Sequence, residues 1–233
     1  MNSVNGTSRV LGIAFLLQAI TSLASGMIMK VGLIVPGSIS ESMLNIANSP
    51  WLMRTSILGD TITAAGIIFL GAIMFAVLRK QNEEMALVGL GFYALEGALL
   101  AASRIPGFAL MQISREYVTS GRPAFLEAMG SVALGSASFG YTLAMVPFGL
   151  GAILFYWLLY ETRVIPRILS LWGLATVPVV LGGTVATVLG FQVPFAVYFP
   201  YVPFEFVVGI WILVKGLAER QEQPTRDLRM ATG

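Results

Sequence analysis

The chain has 233 residues, 56% of them hydrophobic and only 11% charged, with a mean hydropathy of +0.81. Soluble domains carry about 25% charged residues, so this composition belongs to a protein of the lipid bilayer. A net charge of +2 with scattered basic residues offers no nucleic-acid-binding face, and the lack of cysteine and histidine excludes disulfides, thiol and imidazole catalysis, haem ligation and Cys/His zinc sites.

A membrane-crossing helix needs about 20 apolar residues, and six such runs follow one another. The short N-terminus, residues 1–8, precedes Arg9 and the first run, 10–29, in which Gln18 is the only strongly polar side chain. That run is longer than the roughly 7–15 apolar residues of a secretory signal, so it reads as a retained helix. A loop broken by Val35-Pro36-Gly37 follows, and Ser38-Ile39-Ser40-Glu41 fits a capping box. The helix it opens has an apolar side of Met43, Leu44, Ile46 and Ala47 and stops at Ser49-Pro50; too short to cross, it is expected to lie in the interface plane.

The second and third spans, 51–78 and 85–103, flank the charged turn Arg79-Lys80-Gln81-Asn82-Glu83-Glu84. Arg104-Ile105-Pro106-Gly107 is expected to end the third, because proline disfavours helix in the residue before it. Residues 108–120 are polar enough to lie outside the membrane. Arg122-Pro123 opens a helix whose first part, with Phe125, Leu126, Met129, Val132 and Ala133, is amphipathic and whose pattern allows it to continue into the fourth span, 139–160. The fifth span, 168–189, contains Pro178, which predicts a kink, and Gly182-Gly183. The sixth, 199–217, starts in a corner rich in proline: Pro194, Pro200 and Pro203. From Glu219 the chain is charged without apolar periodicity, which predicts a disordered tail.

The fold class is therefore all-α: a polytopic bundle of six transmembrane helices over residues 9–218, with two short interfacial helices on the outer side. Lys and Arg set its orientation. Arg9, Arg79, Lys80, Arg163, Arg167, Lys215, Arg220, Arg226 and Arg229 fall on one side; Lys30, Arg54, Arg104, Arg115 and Arg122 fall on the other, three of them in one long loop. Both termini, including the tail 219–233, are expected to be cytoplasmic.

Several stretches together resemble bacterial membrane proteins grouped as domain-of-unknown-function family 4386. They are Arg9-Val10-Leu11-Gly12, Val35-Pro36-Gly37, Leu52-Met53-Arg54 followed by Asp60, Ala76-Val77-Leu78-Arg79, Glu96, Ile165-Pro166-Arg167-Ile168-Leu169, Pro203-Phe204-Glu205 and Trp211-Ile212-Leu213-Val214-Lys215-Gly216. Their order and spacing carry the likeness, which covers nearly the whole chain. It departs at Phe92-Tyr93-Ala94, where many relatives have an arginine after an aromatic residue; Glu96 is thereby left without one cationic partner. The resemblance implies a six-helix, multi-pass protein of the bacterial inner membrane. It implies no activity.

Asp60, Glu96 and Glu205 are carboxylates set within apolar runs. Each lies roughly 9–12 Å below the outer boundary at 1.5 Å per residue, so three acids on three helices are placed to converge. Tyr93 shares a face with Glu96 and Tyr201 with Glu205, Arg54 and Arg104 stand at the outer rim, and Tyr141 enters at similar depth. A lone charge in the bilayer costs at least about 2.5 kcal/mol, which leaves two readings open. In one, the acids pair with Arg54, Arg104 or tyrosine hydroxyls and hold helices in register. In the other, with Tyr93, Tyr201, Arg54 and Arg104, they line an outward-facing pocket that binds or transports a cation, a proton or a small polar ligand. Gln18 reads as an interhelical hydrogen-bonder, and Trp51, Trp157 and the tyrosines near span ends read as interface anchors. No catalytic residue, metal site or cofactor is assigned: an enzyme would need carboxylates and a hard metal, and no span carries acids at i, i+3 or i, i+4. The expected partners are membrane lipids and a small polar ligand or cation, with no nucleic acid.

Overall fold

A computed structural model of the chain describes residues 6–218, in which the backbone is helical nearly throughout and forms no strand. The tail from Glu219 lies outside the described residues. Six segments are long and apolar enough to cross a membrane: Gly6–Leu33, Pro50–Leu78, Glu83–Thr119, Ala124–Thr162, Arg167–Val188 and Phe195–Lys215. Helices suit this setting because they satisfy their backbone donors and acceptors internally.

The first segment is α1 (Gly6–Met27), continued by a π-helical turn, Ile28–Leu33. It starts a turn before the expected Val10, because Ser8 is buried and its Oγ accepts from the Leu217 amide. Helix α2 (Ile39–Asn48) is capped by Ser38, whose Oγ accepts from the Glu41 amide at 3.3 Å. The capping box is only half formed, since the Ser38 amide donates to the Val35 carbonyl instead of to Glu41.

Helices α3 (Pro50–Leu78) and α4 (Glu83–Ala102) match the expected second and third spans. Helix α4 stops at Ala102, where the third span was expected to end, and residues 104–119 form a further helix. Pro106 sits in the first turn of this helix, α5 (Arg104–Thr119), where proline's missing donor costs nothing. The two short helices are thus α2 and α5. Helix α6 (Ala124–Thr162) runs unbroken for 39 residues, joining the amphipathic start to the fourth span. Helix α7 (Arg167–Val188) is followed by a 3-10 turn, Phe195–Val197, and α8 (Val202–Lys215).

The packing order runs α8, α1, α3, α4, α6, α7 and returns to α8, so the six spanning helices form a ring. Its interior is one apolar cluster that includes Phe15, Met74, Phe155, Phe204 and Ile212. Outward, α1 presents Ile13, Leu17 and Ile20 and α3 presents Leu58, Ile62 and Phe69, the surface expected against lipid tails. A second cluster, with Met43, Ile46, Leu110, Met111, Tyr117 and Leu126, joins α2, α5 and the start of α6 into a cap over one end of the ring. Tyr117 pins the cap by bonding Glu127 on α6 and Ser40 on α2.

Close approach of α1 and α8 rests on Gly12. A Cβ there would stand 2.7 Å from the Leu213 amide nitrogen and 3.0 Å from the Gly209 carbonyl oxygen, whereas at Gly91 it would meet open space. Gly12→Ala is therefore expected to destabilise the bundle by about 1–3 kcal/mol. Gly91→Ala is expected to be neutral or stabilising by up to about 1 kcal/mol. Thermal melting in detergent compares the two, and equal midpoints would contradict this packing.

Candidate functional site

The three acids lie inside the ring but in unlike surroundings. Asp60, on α3, is neutralised: Arg104 Nη1 donates to its Oδ2 at 2.9 Å. The guanidinium is held in place by Ser103, whose Oγ accepts from Arg104 Nε at 3.0 Å and Nη2 at 2.8 Å. It also lies 5.9 Å from the ring centroid of Tyr141 on α6. Because Arg104 opens α5, this pair ties the cap to the bundle.

Glu205 sits in the first turn of α8, where the helix dipole favours a negative charge. Its Oε1 accepts from Gln18 Nε2 on α1 at 2.9 Å and from the Tyr201 hydroxyl at 3.0 Å. Both bonds go to Oε1, so Oε2 has no protein donor among the described residues. The Tyr201 hydroxyl is 2.8 Å from that of Tyr156 on α6. A phenol has one proton to give; Tyr201 gives its own to Glu205, so Tyr156 donates to Tyr201. Tyr93 on α4 comes within hydrogen-bonding reach of Tyr156 and extends this chain of phenols.

Glu96 stands one turn beyond Tyr93 on α4 and is 3% exposed. It makes no hydrogen bond, and its buried Oε2 is without a partner among the described residues. Glu205 is the acid within electrostatic range of it. Tyr141 lies within such range of all three acids and of Arg104 and is 40% exposed.

Glycines set these positions. A Cβ at Gly71 on α3 would meet Tyr93 Cβ at 2.9 Å, and one at Gly151 on α6 would meet Tyr93 Cδ2 at 2.8 Å, so the ring is clasped between two helices. On α1, Gln18, Thr21 and Ser25 form a polar stripe facing the interior: Gln18 bonds Glu205, Thr21 bonds Thr63 at 2.7 Å, and the Ser25 carbonyl accepts from Ser56.

Of the sequence candidates, Glu96, Glu205, Tyr93 and Tyr201 are brought together, and Asp60 with Arg104 forms an adjoining, self-neutralised pair. Arg54 is exposed and is brought to none of the acids. Tyr156 was missed: the rule that tyrosines near span ends anchor at the interface fails for it, because its side chain is fully buried. Its sequence signal is the small-residue face Ala152 and Gly149 preceding it at helical spacing, which makes room for a neighbour rather than for lipid.

Removing Arg104 would leave Asp60 buried and uncompensated. Arg104→Met is expected to cost about 3–5 kcal/mol, and Asp60→Asn combined with it to recover a good part of that loss. Unfolding free energies for the single and double variants form the double-mutant cycle; additive costs would contradict the pairing.

A family model described as a domain of unknown function (DUF4386) matches residues 10–216. The chain belongs to that family. No curated protein matches it, and neither does any solved structure.

Proposed function

We propose that this family member is a multi-pass protein of the bacterial inner membrane, with cytoplasmic termini, that binds a cation, a proton or a small polar ligand between Glu96 and Glu205 and passes it through the bundle. One observation carries this reading: Glu96 is buried, bears an oxygen without any hydrogen-bond partner, and has another acid as its charged neighbour. Two carboxylates ionised together in a region of low dielectric would repel strongly, and a positive charge beside them would relieve that repulsion. The hydrogen-bonded phenols of Tyr156 and Tyr201 supply a route for a proton toward Glu205. Among the described residues no group of three or more acids gathers to cage a metal ion, which favours a proton or a small organic cation.

A second reading has its own support. The Asp60–Arg104 pair and the Gln18–Glu205 bond are what helix-to-helix fastening requires, and in this reading the protein is structural, sensing or accessory.

Glu96 separates the two, because Glu96→Gln removes an ionisable group without removing a hydrogen bond seen among the described residues. Native mass spectrometry in mild detergent is expected to show a bound species in the wild type that Glu96→Gln and Glu205→Gln lose, with the Glu96→Gln melting midpoint unchanged. For a proton, proteoliposomes loaded with a pH-sensitive dye are expected to show flux that both variants abolish. If no species and no flux are found, and both variants melt lower, the acids are fasteners and the proposal fails.

A further inference from the structure

A concavity lies at the end of the bundle opposite the cap, away from the acids. It measures about 540 Å³ and is formed by the loop 163–167 and the end of α8, with Arg163, Arg167, Lys215 and Trp211 on its wall. Its rim is built rather than incidental. The Ala218 amide donates to the Val164 carbonyl at 2.8 Å, and the Leu217 amide donates to Ser8 Oγ at 3.1 Å, strapping the chain after α8 against this loop. Arg163 and Gly216 turn the backbone with φ of 55° and 73°. Val164 and Ile165 are buried and give the cavity an apolar floor.

Three cations thus surround a cavity whose wall, among the described residues, includes no carboxylate. The sole ion pair among the described residues is Asp60–Arg104, so none of the three is neutralised there. Arg167 is held 4.9 Å from the centroid of the Tyr160 ring. Helix α7 begins at Arg167 with its positive end here, and no capping side chain or first-turn acid meets it. The Leu169 and Ser170 amides both turn back to the Pro166 carbonyl, which leaves the Arg167 and Ile168 amides uncapped. Trp211 adds an indole N–H that donates to no protein group among the described residues.

We infer that this cavity binds a phosphate-bearing anion through Arg163, Arg167, Lys215 and the start of α7. Guanidinium groups and free helix N-terminal amides suit phosphate oxygens by geometry and charge, and basic pockets between membrane helices suit anionic headgroups. The same chemistry serves a phospholipid headgroup, whose chains would lie along the outer face of the bundle, or free phosphate.

The test is native mass spectrometry of the full chain from mixed micelles holding equal amounts of phosphatidylglycerol and phosphatidylcholine, with inorganic phosphate as competitor. Arg163→Gln, Lys215→Gln and the double variant are compared with Arg79→Gln, a charge removed outside the cavity, and melting midpoints establish that each is folded. The wild type is expected to retain phosphatidylglycerol preferentially, each cavity variant to weaken retention about fivefold, and Arg79→Gln to leave it unchanged. Displacement by millimolar inorganic phosphate would make free phosphate the ligand, and resistance to it would make the ligand a lipid headgroup. Retention indifferent to the cavity variants, or weakened as much by Arg79→Gln, would overturn the inference.

Discussion

A polar group inside a hydrocarbon layer must find its partner within the protein, and that constraint governs this bundle more than apolar burial does. Lipid tails are as apolar as the core, so moving a leucine from one to the other gains little. A carboxylate has no such indifference. The interior of the ring is accordingly organised around polar side chains: Asp60 draws Arg104 and Ser103 toward α3, and Glu205 draws Gln18 from α1 and Tyr201 from the chain before α8. The Asp60–Arg104 and Gln18–Glu205 bonds join elements remote in sequence, so these acids help to specify which helices are neighbours.

The same constraint explains the shape of the last segment. Helix α8 has 14 residues, about 21 Å at 1.5 Å per residue, which is short of a hydrocarbon core of about 30 Å. The stretch from Phe195 supplies the rest of the crossing with turns rather than a full helix. Irregular backbone is tolerated at membrane depth only where protein surrounds it or a cavity adjoins it. Here Trp172 Nε1 on α7 donates to the Pro200 carbonyl at 3.1 Å, and the stretch delivers Tyr201 and Glu205 to the interior. A regular helix through Pro200 and Pro203 would have lost backbone donors there.

Much of this was legible in the sequence, and the reasons are physical. Long apolar runs identify spans because few other structures satisfy a backbone in lipid, so α3, α4 and α7 fall close to their expected bounds. The depth count placed Glu96 and Glu205 together because rise per residue is a fixed quantity. Arg104 was one of several candidate partners for Asp60, and only the direction of α5 selects it over Arg54. Pro106 marked the end of the third span but not the start of α5, because proline ends one helix and begins another with equal ease. Tyr156 stayed hidden because tyrosine is at home both at an interface and in a hydrogen-bonded core; which of these holds depends on whether glycines on neighbouring helices leave room for the ring.

The contrast between Asp60 and Glu96 bears directly on what the site is for. Both are buried carboxylates on neighbouring helices, and a bundle needing only internal fastening would treat them alike. Asp60 receives a guanidinium whose own donors are in turn satisfied by Ser103. Glu96 receives no hydrogen bond among the described residues, although Tyr93 lies one turn away on the same helix. An unsatisfied buried group costs stability, and such costs persist where something other than stability is selected. The cost at Glu96 is removed whenever a positive charge or a donor arrives from outside the protein. In the proposed reading, an incoming ligand meets the Glu96 carboxyl beside Tyr93, and the Asp60–Arg104 pair is the fixed frame next to it.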